Sequence, residues 1–237
     1  MINRIHIIFC LVICFAFSCK KDKLENDSLQ IGYEYYPLDT NNYVVYTVTE
    51  IDLDVKVGKY DTVKYQLKER LADTIFNEGK DVVSFKMERY IRLDSTREWE
   101  IKNVWQVKQS NRNLIRIEDN IPLVKQVYPM VKNQIWNVHR YDTLPEQTAT
   151  LVDYNFPEKI GKFSFDSIAQ VVITDYETLV EKQYETEKYA KNIGLVFKQN
   201  IDVESQTIGN NTIDLSKPIM QRITKGKIII WEISDHN

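Results

Sequence analysis

The sequence predicts an all-β protein, a single antiparallel meander curving into a barrel or half-barrel, with few or no long helices. Three observations support this fold class. Apolar and polar residues alternate with a period of two in several runs, turn-forming Gly and Asn residues separate those runs, and helical periodicity is scarce. Since this pattern is typical of half-buried antiparallel strands, we expect one curved sheet with one face on the core.

The clearest strand candidate covers residues 83–93, and residues 63–71 and 99–107 alternate in the same way. In the first run the apolar face is formed by Val83, Phe85, Met87, Ile91 and Leu93, together with Arg89. Nearer the start, the apolar phase slips by one residue between Val48 and Ile51. Such a slip predicts a β-bulge that bends a long strand.

Residues 177–192 fit either a helix or a strand. Gly194 follows the run closely and could cap a helix, but the tyrosines and threonines within the run are typical of strands. We expect a strand there.

The first eighteen residues predict a secretory signal peptide. A charged start at Arg4 precedes an apolar run over residues 5–17, and small residues lie just before Cys19. The alternative is a transmembrane helix, which takes about 20 apolar residues, more than this run offers. The cysteine after the cleavage point is typical of a lipobox, so we expect Cys19 to be the lipid attachment site, carrying diacylglycerol and an acyl chain such as palmitate.

This interpretation divides the chain into a signal peptide (1–18), a lipidated flexible tether (19–30) and a single β-rich domain (31–237). The tether is rich in charge and poor in apolar residues, so it cannot offset the entropy of ordering. Cys10 and Cys14 leave with the signal peptide and Cys19 is modified, which excludes disulfide and thiolate chemistry. A mildly acidic chain without basic runs gives no indication of a nucleic-acid partner.

Three short segments carry a likeness to a known group of proteins. They are residues 36–46 (YPLDTNNYVVY), residues 128–136 (YPMVKNQIW) and residues 189–197 (YAKNIGLVF). They resemble, in order, the YFPLKVGNYWVY-like, YP…G..W and YAKGVGLVYKE-like segments of an uncharacterised Bacteroidetes-type group of outer-membrane lipoproteins. That group has no established activity, so the resemblance implies the anchor and the fold alone.

The chain departs from this pattern at three positions. Asn41 and Asn133 stand where the group has Gly, and Val44 stands where it has its first Trp. Asn tolerates the left-handed backbone conformation better than other residues with a side chain. We therefore expect both turns to be retained.

No residue pattern predicts a catalytic or metal site. His139 could act as a base oriented by Asp142, but no serine has the context of a nucleophile elbow. Two distant histidines without cysteine do not match the spacing of a zinc site. Two sets of acids alternate with apolar or aromatic residues, which is typical of the solvated face of a strand. They are Glu50, Asp52 and Asp54, and Glu98 and Glu100 around Trp99.

Aromatic residues make up 11% of the chain. Trp99, Trp105 and Trp231 lie in phase with the apolar residues of their strands, so we assign them to the core. Tyr33, Tyr35 and Tyr36 cluster just after the tether and form a candidate contact surface.

We therefore expect a lipid-anchored module of the cell envelope, on the outer membrane. It would act without catalysis or cofactor, either carrying an apolar ligand or docking on an outer-membrane complex. The alternative is an envelope hydrolase acting on glycan or ester substrates through carboxylates that the fold brings together. The mixed charges of residues 20–23 favour neither the periplasmic nor the surface-facing side.

Overall fold

The computed structural model describes residues 31–79, 81–207, 209 and 213–237. The predicted signal peptide, Cys19 and the predicted tether lie outside these residues. The described residues form twelve β-strands: β1 (Tyr43–Asp54), β2 (Lys59–Phe76), β3 (Val82–Arg92), β4 (Glu100–Gln109), β5 (Asn113–Glu118), β6 (Ile121–Val127), β7 (Gln134–Asn137), β8 (Thr148–Ile160), β9 (Phe163–Glu177), β10 (Glu181–Ala190), β11 (Gly194–Glu204) and β12 (Lys225–His236).

All twelve strands belong to one antiparallel sheet in the order β6-β5-β4-β3-β2-β1-β12-β11-β10-β9-β8-β7. Each strand pairs with the next strand along the chain, with the exception of β6 and β7, which form the two edges of the sheet and meet each other. In addition, β1 pairs with β12. Where the edges meet, the Val124 N–H donates to the Val138 carbonyl at 2.9 Å, and Trp136 Nε1 donates to the Val124 carbonyl at 2.9 Å. The sheet is thus a nearly closed barrel, and the predicted all-β meander is confirmed.

Helical structure within the described residues is limited to three-residue 3-10 segments at Tyr33–Tyr35, Val55–Val57 and Ile219–Gln221. The ambiguous segment at residues 177–192 contains β10, which pairs with β9 and β11. The expectation of a strand there is confirmed. Across the described part of the chain, no helix is long and apolar enough to cross a membrane.

The turns at the two departures from the lipoprotein pattern are formed by asparagine in the left-handed conformation. Asn41 has φ 73° and Asn133 has φ 63°. The Asn133 N–H donates to the Leu151 carbonyl at 2.7 Å, which joins this turn to β8. Both asparagines thus adopt the left-handed conformation that was expected of these turns.

The predicted bulge between Val48 and Ile51 is wrong. β1 pairs with β2 without interruption from Tyr43 to Asp54, and its irregularity against β12 lies between Val45 and Tyr46. The apolar phase slips because both faces of β1 are covered. Val48 belongs to the main core, whereas Ile51, on the opposite face, packs against a cluster formed by Ile201, Val203 and Ile228.

The main core fills the barrel, and it contains Trp105, with Trp231 half-buried against it. The assignment of Trp99 to this core is wrong. Its half-buried ring lies under two cations, with the Lys68 Nζ 4.7 Å and the Arg92 Cζ 4.2 Å from the ring centroid. The misassignment arises because the register of β4 against β3 shifts between Ile101 and Asn103, which places Ile101, and Trp99 before it, on the opposite face from Trp105.

Candidate functional site

An apolar groove lies where the inner faces of β2 and β3 continue past the core. It is lined by Val63, Tyr65, Ile91 and Leu93 and has a volume of about 750 Å³. Val63 is 50% exposed and Leu93 is 61% exposed, whereas Leu67 on the same face of β2 is buried. The apolar row on this face of β2 and β3 thus continues past the buried core into residues that are exposed to solvent.

A charged rim borders this groove. It is formed by Arg92, Arg97, Glu98 and Glu100 around the β3–β4 turn. Within that turn, the Asp94 carboxylate accepts a hydrogen bond from the Thr96 N–H at 2.8 Å. The groove thus combines an apolar floor with charges of both signs at its edge.

The wall of β1 beside the groove is polar. The Tyr65 hydroxyl donates to Glu50 Oε1 at 2.6 Å, and Lys227 Nζ lies 2.9 Å from Glu50 Oε2. Hydrogen bonds from Lys227 and then Tyr65 lower the pKa of the Glu50 carboxyl. Lys102 Nζ lies 5.8 Å from the centroid of the Tyr65 ring. Glu50 is therefore an ionised carboxylate held by two donors.

The acids at positions 50, 52 and 54 do not form a metal site. Lys59 binds Asp52 at 2.5 Å, and Asp54 accepts from the Lys56 N–H at 3.1 Å to cap the 3-10 segment at Val55–Val57. Among the described residues, no cluster of His, Cys, Asp and Glu side chains could hold a metal ion.

His139 and Asp142 do meet, as their spacing suggested. His139 Nδ1 lies 2.9 Å from Asp142 Oδ2, and the His139 N–H donates to Asn137 Oδ1 at 2.9 Å. The hydrogen bond with the imidazole, together with a backbone N–H bond from Leu144, outweighs burial and lowers the pKa of the Asp142 carboxyl. These contacts brace the loop after β7.

The barrel interior contains a buried group of ionised side chains that the sequence patterns missed. Glu187 on β10 is fully buried and binds Lys125 of β6 at 2.6 Å and Lys198 of β11 at 3.2 Å. Burial raises the pKa of the Glu187 carboxyl most, but the combined charges of Lys125, Lys198 and Arg116 lower it further than burial raises it. Glu187 thus stays ionised inside the barrel.

A second buried group joins β2, β3 and β5. Arg89 Nε binds Glu69 Oε1 at 2.9 Å, and Arg116 Nη2 binds Glu118 Oε1 at 2.5 Å. Arg116 Nη1 lies 3.8 Å from Glu69 Oε2, which links the two pairs. The one sequence signal for this group was Arg89, a charge within an otherwise apolar row.

The predicted contact surface of Tyr33, Tyr35 and Tyr36 lies at the other end of the barrel from the groove. Tyr35 and Tyr36 are buried, and the Tyr35 hydroxyl lies 2.7 Å from Ser167 Oγ. Tyr33 is half-buried, with its ring edge-on to Tyr128 at a centroid distance of 4.7 Å. Of the three tyrosines, Tyr33 therefore has the side chain that is partly exposed to solvent. A contact surface here stays a prediction.

No protein-family model matches the chain, and no curated protein matches it. Two solved structures are similar to it, each covering 84% of this chain and 98% of the other chain at 10% identity. One is a protein of Bacteroides fragilis regarded as exported, with a YmcC-like fold (TM-score 0.41). The other is a protein of Parabacteroides distasonis regarded as a lipoprotein (TM-score 0.34).

Proposed function

We propose that this chain is a lipid-anchored module of the cell envelope that binds an apolar or amphipathic ligand in the groove of β2 and β3. The observation that carries the proposal is the exposed apolar floor formed by Val63, Tyr65, Ile91 and Leu93. Residues on the inner face of a barrel are ordinarily buried by the rest of the core. An exposed apolar concavity is typical of a ligand-binding or protein-binding site.

The size and chemistry of the groove suit such a ligand. Pockets for small molecules commonly span roughly 300–1,000 Å³, with apolar walls and a few polar groups. Arg92 and Arg97 on the rim could meet an acidic head group, while the floor would cover an acyl chain or another apolar body. Carriage of a free ligand is therefore favoured over docking on a large flat partner.

The carboxylates give less support to hydrolysis. Glu98 and Glu100 lie two residues apart on the same rim. A glycosidase places its two carboxylates on opposite sides of the scissile bond, whereas Glu100 begins β4 and Glu98 precedes it by two residues on the same rim. His139 is engaged with Asp142, on a loop that does not line the groove.

The groove proposal is tested by photo-crosslinking in cells. The photoreactive amino acid p-benzoylphenylalanine replaces Leu93 in the full chain, and the matched control replaces Ile135, an equally exposed apolar residue on β7 (65% exposed). We expect irradiation to attach a small apolar adduct at position 93 and not at position 135, detected by mass spectrometry of the purified protein. A protein adduct at position 93 would instead indicate docking, and equal labelling at the two positions would contradict a groove ligand.

The anchor is a separate part of the proposal and has its own test. Cells grown with an alkyne-tagged palmitate should label the full chain, because the thioether and the acylated amino terminus both form on Cys19. Two or more acyl chains hold a protein stably on a membrane, whereas one does not. The Cys19→Ser variant should lose the label and leave the membrane fraction, with Cys10→Ser as the control. Retained labelling of Cys19→Ser would overturn this attachment site.

A further inference from the structure

Four cations lie along β2 and β3, on the face opposite to the core, and two of them bind one carboxylate. This group, the Lys68 cluster, consists of Lys68, Arg70, Lys86, Arg92 and Glu88. Glu88 accepts from Arg70 Nη2 at 2.8 Å and from Lys86 Nζ at 2.8 Å. Asp73, which pairs with Lys86 across the two strands, adds negative charge beside Lys86, and Asp94 adds it beside Arg92.

The other two cations are held by aromatic rings instead of acids. Lys68 Nζ lies 4.9 Å from the centroid of the Tyr90 ring and 4.7 Å from that of Trp99. Arg92 Cζ lies 4.2 Å from the Trp99 centroid, and Arg92 Nε donates to Gln66 Oε1 at 2.6 Å. Within the described part of the chain, neither Lys68 nor Arg92 forms an ion pair.

Sheet register brings these cations close together. Lys68 pairs with Tyr90, flanked by the pairs of Arg70 with Glu88 and of Gln66 with Arg92. Burial, and then the charges of Arg70 and Arg92, lower the pKa of the Lys68 amine. Successive side chains on one face of a strand are roughly 6–7 Å apart at their origins, so three long cationic side chains can reach one common ligand.

We propose that the Lys68 cluster is a binding site for a phosphate group. A phosphate monoester carries a charge of about −1.5 to −2 and three acceptor oxygens, which suits Lys68 and Arg92, the two cations of the cluster that form no ion pair among the described residues. Guanidinium groups bind phosphate oxygens in pairs, and the side chains of Arg70 and Lys86 are 40% and 42% exposed, so a ligand can reach them. The site lies on the outer face of the sheet, apart from the apolar floor of the groove, and Arg92 belongs both to this site and to the rim of the groove.

The test uses the full chain in a nonionic detergent, titrated with inorganic pyrophosphate by calorimetry at low salt, where screening is weak. We expect Lys68→Gln combined with Arg92→Gln to weaken binding at least about tenfold, because charge-assisted hydrogen bonds are lost. The matched control is Lys108→Gln combined with Lys159→Gln, which removes the same charge from two exposed lysines elsewhere. It should change the affinity less than about twofold.

A second variant guards against loss of folding. Lys86→Gln changes one exposed side chain and should give an intermediate loss of affinity, with the unfolding midpoint recorded for every variant. Phosphatidylglycerol added to the same micelles should displace pyrophosphate if the natural ligand is a lipid head group, and phosphatidylcholine should not. Retention of pyrophosphate assigns the site to a soluble phosphate. Absence of binding, or equal weakening by the control pair, would overturn the proposal.

Discussion

Glu187 shows at the scale of one residue how the barrel interior is held together. Its carboxylate is fully buried and binds Lys125 and Lys198 at 2.6 and 3.2 Å, and the Tyr189 hydroxyl also donates to it. Removing one member of a buried ionic group leaves the others uncompensated, which costs about 3–5 kcal/mol. We therefore expect Glu187→Gln to lower the free energy of unfolding by that amount in urea titrations.

The pH dependence of this effect has a definite sign. The folded pKa of Glu187 lies below its ordinary value of 4.5, so its contribution to stability is complete above that pH and falls as the pH drops towards the folded pKa. The wild type should therefore lose part of its advantage over Glu187→Gln in acid. The control is Glu177→Gln, whose carboxylate is 48% exposed and pairs with Lys182. It should cost less than about 1 kcal/mol, and an equal cost for both variants would contradict the argument.

At the scale of the strand, the sequence predicted most where only one face of a strand is buried. Residues 83–93 and 99–107 became β3 and β4 with few differences at their ends. β1 misled the prediction because Val48 packs into the barrel while Ile51 packs on the other face. A strand with two covered faces loses its alternation, and the pattern is then indistinguishable from that of a bulge.

The candidate sites were harder to predict because their residues are distant in the chain. Lys125 and Glu187 are 62 residues apart and meet only because the sheet curls β6 towards β10. The alternation of residues 63–71 and 83–93 does identify the apolar row that lines the groove. The alternation does not show which residues of this row are buried and which are exposed, because that depends on the relative lengths and curvature of all the strands.

At the scale of the whole molecule, closure of the barrel depends on the short contact between β6 and β7. The sheet has two edges, and they are joined by the Val124–Val138 backbone hydrogen bond and by the indole N–H of Trp136, which donates to the Val124 carbonyl. Trp136 is buried, so losing this donor would leave the Val124 carbonyl with less hydrogen bonding in a place that water does not easily reach.

We expect Trp136→Phe to loosen this closure while the rest of the sheet stays paired, because phenylalanine keeps the ring in the core and removes only the donor and part of the volume. Hydrogen exchange followed by mass spectrometry should show faster exchange in peptides from β6 and β7 than in the wild type. Exchange in β1 and β12, which are paired along most of their length, should be unchanged. Trp99→Phe is the matched control, since its ring lies against Lys68 and Arg92, away from the closure. Faster exchange spread evenly over all twelve strands would mean that the edges are no weaker than the rest of the sheet.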